Sequence, residues 1–132
     1  MKQAQLDVLD FHRLIGAYIG RCPSLPPRGV PEQRVALLLE ELRELSEAGT
    51  RGCLADIAKE LCDVIYTAIG IANMYGIDLA PVWYAVHASN MAKGKQPHRC
   101  DGKVPKPSGW VKPDVASILS GQAPLTETET GG

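Results

Sequence analysis

The segment from Ala55 to Tyr75 constrains this chain most. Its apolar residues recur at helical spacing on almost every side: Ile57, Val64, Ala68 and Ile71 on one face, and Ile65, Ile69 and Ala72 on another. Val64 to Ile71 carries no charge at all. A helix that is apolar nearly all round must be covered by neighbours, yet the longest apolar run falls far below the ~20 residues of a membrane span. In a chain of 132 residues this predicts the central helix of a bundle, with one face at a subunit interface.

The remaining periodicity is also helical, and alternating strand patterns are nearly absent. A first helix is predicted from Ala4 to Ile19, with Leu6, Leu9, Leu14, Ile15 and Tyr18 as its apolar positions and Gly20 as its stop. Pro23, Pro26 and Pro27 then enforce a stiff loop. Pro31 opens a second helix that reaches Ala48, with Val35, Leu38, Leu39, Leu42 and Leu45 inward and Gly49 as its stop. Asp78 caps a fourth helix, Leu79 to Lys93, and Pro113 and Asp114 start a short fifth one through Leu119. The expectation is one all-α domain over residues 1–120, a bundle of four to five helices, followed by a flexible tail over 121–132.

Composition narrows the function classes. A net charge of −1 supplies no basic field for nucleic acid. The first residues lack the apolar core of a signal peptide, so the expected location is cytoplasmic and no membrane partner is expected. Cys22, Cys53, Cys62 and Cys100 are scattered without zinc-ligand spacing, and Cys62 reads as a reduced thiol in or near the core. Charge is instead sorted locally. Lys93, Lys95, Arg99, Lys103, Lys106 and Lys112, out of 14 basic residues, cluster in a Gly- and Pro-rich segment after the fourth helix.

The acidic counterpart lies on the second and third helices. Glu41 and Glu44, preceded by Glu40, and then Glu60 and Asp63 form two pairs at i, i+3 spacing, each on one side of a helix. Carboxylates beside an apolar stripe are costly unless a cation compensates them. An all-oxygen acidic cluster suits Mg²⁺, with Mn²⁺ as a substitute. Acidic cluster and basic loop together match the needs of a nucleoside polyphosphate: carboxylates hold the metal, the metal grips phosphate oxygens, and Lys or Arg neutralises the rest.

This pattern resembles the signature of the all-α nucleoside triphosphate pyrophosphohydrolases, the MazG-like superfamily. Phe11-His12-Arg13, Tyr75-Gly76-Ile77-Asp78, His87-x-x-Asn90-Met91-x-Lys93 and Asp101-Gly102-Lys103 with Gly109-Trp110 extend the likeness to the MazG-like dUTPase group known from Deinococcus. That resemblance implies Glu41, Glu44, Glu60 and Asp63 as Mg²⁺ ligands. It also implies Glu41, with Glu40 behind it, as the group that orients or deprotonates the attacking water. Asn90, Lys93, Lys103 and Lys106 become the phosphate- or sugar-contacting residues. Phe11 and His12 become the base-recognition residues, with Tyr66 or Trp110 as stacking partners.

The implied reaction converts dUTP and water to dUMP and pyrophosphate, removing dUTP from the nucleotide pool. dCTP, modified deoxynucleotides and a broad nucleotide range are rival substrates, and phosphoribosyl-ATP ranks below them because the closer likeness runs to another branch. The all-round apolarity of the third helix predicts a homodimer. A reading from another class makes the same chain a non-catalytic helical dimer whose acidic arc is only a solvated face.

Overall fold

A computed structural model describes residues 1–95 and 99–125. It is all-helical, with five helices and no strand among the described residues: α1 (Lys2–Ile15), α2 (Val30–Arg51), α3 (Leu54–Met74), α4 (Leu79–Met91) and α5 (Val115–Ser120). The architectural frame is the long α2–α3 hairpin, against which α1 packs along α3, while α4 lies against α1 and α5. None of these helices is long and apolar enough to cross a membrane.

The ends of α1 and α2 are set by glycines that enter the left-handed region. α1 ends at Gly16 (φ 67°), where the Gly16 and Ala17 amides donate to the Arg13 and His12 carbonyls. The expected stop at Gly20 is therefore displaced by a full turn. Gly20 has a different task. Its amide donates to the Asn73 carbonyl, and a Cβ there would stand 2.5 Å from the Gly76 nitrogen. The stiff loop after α1 can thus lie directly on the end of α3 because neither chain has a side chain at the crossing. Likewise α2 runs through Gly49, the expected stop, and ends at Gly52 (φ 75°). Only Gly52 and Cys53 connect α2 to α3, which enforces an antiparallel pair.

The core is small: Val8, Leu9, Ala48, Ile69, Ala72, Met74 and Leu125 are buried. Three polar residues, Gln5, His12 and Asn73, are buried with it. Gln5 Nε2 donates to Asn73 Oδ1 (2.8 Å) and to the Ile77 carbonyl (2.6 Å), and Gln5 Oε1 accepts from the Leu79 amide (2.9 Å). One side chain thereby ties α1 to the end of α3 and the start of α4, and its buried polar atoms are satisfied. As the sequence predicts, Asp78 caps α4 by accepting from the Ala80 amide.

Burial departs from the predicted stripes. Leu14, Ile15 and Tyr18 of the expected α1 face are exposed, because α1 stops early and the buried stripe is Gln5, Val8, Leu9 and His12. Val35, Leu39 and Leu42 of α2, Leu61 and Ile65 of α3, and Cys62 are also exposed, and α4 buries no residue fully. A single chain leaves a broad apolar surface uncovered.

Gly121 to Leu125, expected as the start of a flexible tail, is packed. Gln122 exchanges hydrogen bonds with the Asp78 backbone, the Leu125 amide donates to the Arg21 carbonyl, and Leu125 is buried. The rest of the expected tail, residues 126–132, lies outside the described residues, as does His98 of the basic loop.

Candidate metal centre and adjoining cleft

The antiparallel α2–α3 pair brings Glu41 of α2 against Glu60 and Asp63, in the first half of α3. One carboxylate oxygen from each of the three lies within 4.8 Å of the others. Glu60 is deeply set, with a side chain 13% exposed. Oε2 of Glu41 and Oε2 of Glu60 are both buried and accept no hydrogen bond among the described residues. Orphaned anionic oxygens of this kind carry a large penalty that a cation would relieve. Burial, followed by the charges of Asp63, Glu44 and Glu60, pushes the Glu41 carboxyl above its ordinary range. An all-oxygen donor set with unsatisfied buried members fits a hard divalent ion.

The other two predicted acidic residues stand apart. Glu44 is half-buried and acts on Glu41 through its charge, but it falls outside the group of three. Glu40 is exposed. Lys59, which sequence reasoning passed over, reaches into the cluster with Nζ 2.7 Å from Asp63 Oδ2 and 3.3 Å from Glu60 Oε1. These two carboxylates raise the ammonium pKa above the ordinary lysine range.

Beside the cluster opens a cleft of about 370 Å³ lined by Phe11, Glu41, Asp63, Tyr66 and Thr67. It adjoins a larger cavity of about 530 Å³ that shares Phe11, Tyr66 and Thr67 and adds His12, Gln33 and Arg34. Phe11 and Tyr66 meet edge to face with centroids 5.7 Å apart. Phe11 therefore lies next to the acidic cluster, and His12 lines the adjoining cavity. Arg34 was also missed: its guanidinium approaches His12 only through the fold, and no local pattern announces it.

The basic residues form a second region. Asn90, Lys93, Arg99, Lys103 and Lys106 line a cavity of about 740 Å³ after α4 that shares no lining residue with the acidic cleft. Lys93 donates to Asn90 Oδ1 (2.8 Å), and Lys93 and Lys106 sit over the Trp110 ring at 5.5 and 4.9 Å. Trp110 Nε1 donates to the Ser89 carbonyl (2.9 Å), which pins the segment to α4. Trp110 is thus an anchor for two lysines and borders neither cleft cavity. Within one chain, the predicted phosphate residues are gathered together but not onto the carboxylates.

The fold is thus a helical bundle whose central hairpin carries clustered carboxylates beside an aromatic cleft. Residues 8–90 match the family model of phosphoribosyl-ATP pyrophosphohydrolase, and the chain belongs to that family, within the MazG-like superfamily. The match takes in Phe11, His12, Glu41, Glu60, Asp63 and Asn90 and stops short of Lys93 and the basic segment. None of the curated proteins compared with the chain matches it.

Proposed function

We propose that this chain is a Mg²⁺-dependent nucleoside triphosphate pyrophosphohydrolase that cleaves between the α- and β-phosphates, with dUTP as its leading substrate. The observation that carries this reading is the trio Glu41, Glu60 and Asp63, of which Glu41 and Asp63 line the aromatic cleft. Glu41, Glu60 and Asp63 would hold the ion, with Glu44 as the fourth carboxylate. A bound divalent ion supplies Lewis-acid stabilisation of phosphate charge and lowers the pKa of water. Glu41, with Glu40 as second candidate, orients the water and takes its proton. The water oxygen attacks the α-phosphorus, the bond to the bridging oxygen breaks, and pyrophosphate leaves.

In this reading Phe11 and His12 contact the base. Asn90, Lys93, Lys103 and Lys106 neutralise phosphates, and the exposed apolar faces of α2, α3 and α4 are covered by a second copy in a cytoplasmic homodimer. The family match favours a second substrate, phosphoribosyl-ATP, with the same bond cleaved. Pyrophosphate release from dUTP, the other nucleotides and phosphoribosyl-ATP, with Mg²⁺ and with EDTA, tests both readings. Selective release from dUTP is the expected result. Release from phosphoribosyl-ATP alone keeps the chemistry and replaces the substrate, and no release from any of them removes the catalytic reading.

A further inference from the structure

Lys59 belongs to the geometry of the acidic cluster but to none of the roles above. Its Nζ stands 2.7 Å from Asp63 Oδ2 and 3.3 Å from Glu60 Oε1, so the ammonium spans two of the three clustered carboxylates. The third, Glu41, receives no hydrogen bond at Oε2 among the described residues. Lys59 precedes Asp63 by one helical turn, and its side chain is 65% exposed. The head can therefore reach the carboxylates or swing into water without any change in the backbone.

A divalent ion of Mg²⁺ size needs carboxylate oxygens at about 2.0–2.1 Å. An ammonium already 2.7 Å from Asp63 Oδ2 would then face a dication across a single oxygen, and the repulsion at that range is severe even at the effective dielectric of a protein surface. Where the ion takes the oxygen that Lys59 contacts, the two cations compete for it.

We infer that Lys59 is a resident counter-cation of the carboxylate cluster, compensating Glu60 and Asp63 until a divalent ion displaces its ammonium. The inference rests on the metal-binding reading of the cluster. It makes the intrinsic metal affinity of the protein weaker than its carboxylates alone would give, because each ion bound must first break the lysine contacts.

Mn²⁺ titration of the full chain without nucleotide, followed by the electron paramagnetic resonance signal of free Mn²⁺, tests this. Lys59→Met and Lys59→Gln should bind Mn²⁺ about five- to tenfold more tightly than wild type, the range expected for loss of two partly exposed ion pairs. Lys59→Arg, which keeps the charge, should bind like wild type. In EDTA the two neutral variants should melt below wild type, and Mn²⁺ should raise their melting temperature by more. Unchanged or weaker Mn²⁺ affinity in the folded neutral variants, with wild type binding normally, overturns the inference and leaves the metal centre standing. Absence of Mn²⁺ binding in every form overturns the metal centre itself, and the role of Lys59 with it.

Discussion

Arg34 Nη1 lies 3.2 Å from His12 Nε2, which places a permanent cation against a buried imidazole. A guanidinium can only donate, so His12 Nε2 accepts and Nδ1 carries the proton, buried and without a partner among the described residues. Burial first, and the Arg34 charge second, lower the His12 pKa below the ordinary histidine range. The neutral ring is the form the fold holds.

Acid lability follows from this pair. With its folded pKa depressed, His12 takes up its proton more readily in the unfolded chain, so stability rises with pH and is lost as pH falls below about 6.5. Melting temperatures between pH 5 and 7.5 should fall more steeply toward acid for wild type than for His12→Gln. Parallel curves would exclude His12 as the source.

Glu41 should cost stability in the metal-free protein. Its raised pKa means that the ionised carboxylate, present at neutral and higher pH, is disfavoured by the fold, so its contribution to stability declines as pH rises through its titration. In EDTA at pH 7.5, Glu41→Gln should melt about 1–3 °C above wild type while losing pyrophosphate release. A variant less stable than wild type, or still active, would contradict the assignment.

Ion binding should tighten with pH through the same carboxyl, because Glu41 must shed its proton to become a donor. The Mn²⁺ dissociation constant should fall as pH rises from 5 to 7, and Glu41→Gln should flatten that dependence as well as weaken binding.

Gly70 is the floor on which His12 rests. A Cβ at Gly70 would stand 2.8 Å from His12 Cε1. Replacing a mid-helix glycine by alanine normally stabilises by ~1 kcal/mol. Here Gly70→Ala should instead destabilise by about 1–3 kcal/mol in urea unfolding, since the imidazole is buried and must move. A stabilised variant would show that the ring has room to shift.

Trp110 should govern the order of the basic segment. Trp110→Ala removes the hydrogen bond to the Ser89 carbonyl and the ring beneath Lys93 and Lys106. Tryptic cleavage after Lys103 should accelerate several-fold, with little change in melting temperature, because the core residues lie elsewhere. An equal cleavage rate would assign the anchoring to other contacts.

Much of this molecule is legible in its sequence, and the failures have physical causes. The helices follow from the spacing of residues such as Ile57, Val64 and Ile71 and from the Asp78 cap, all local signals. Helix ends are less legible, because Gly16 and Gly52 turn left-handed while Gly20 and Gly49 do not, and that choice depends on packing from distant residues. The inward stripe of α2 is only partly buried, since Val35, Leu39 and Leu42 have no covering element among the described residues. Glu41, Glu60 and Asp63 were readable from their spacing and apolar setting, and a strict i, i+4 search would also have found Lys59 beside Asp63. Arg34 against His12 joins residues far apart in sequence, and no local rule could pair them.

The tight Gly52–Cys53 turn has a consequence for how such a chain can change. All three clustered carboxylates sit on the two arms of one hairpin, so their mutual geometry is fixed by a contiguous stretch of chain. Inserting one residue into that turn would rotate the α3 arm by about 100° relative to α2 and scatter the donors. An insertion in the segment between α4 and α5 would leave them untouched. Mutational drift at Phe11 and His12 on α1 is therefore free to redraw the cavity walls beside the cluster while the carboxylate-bearing hairpin is inherited whole.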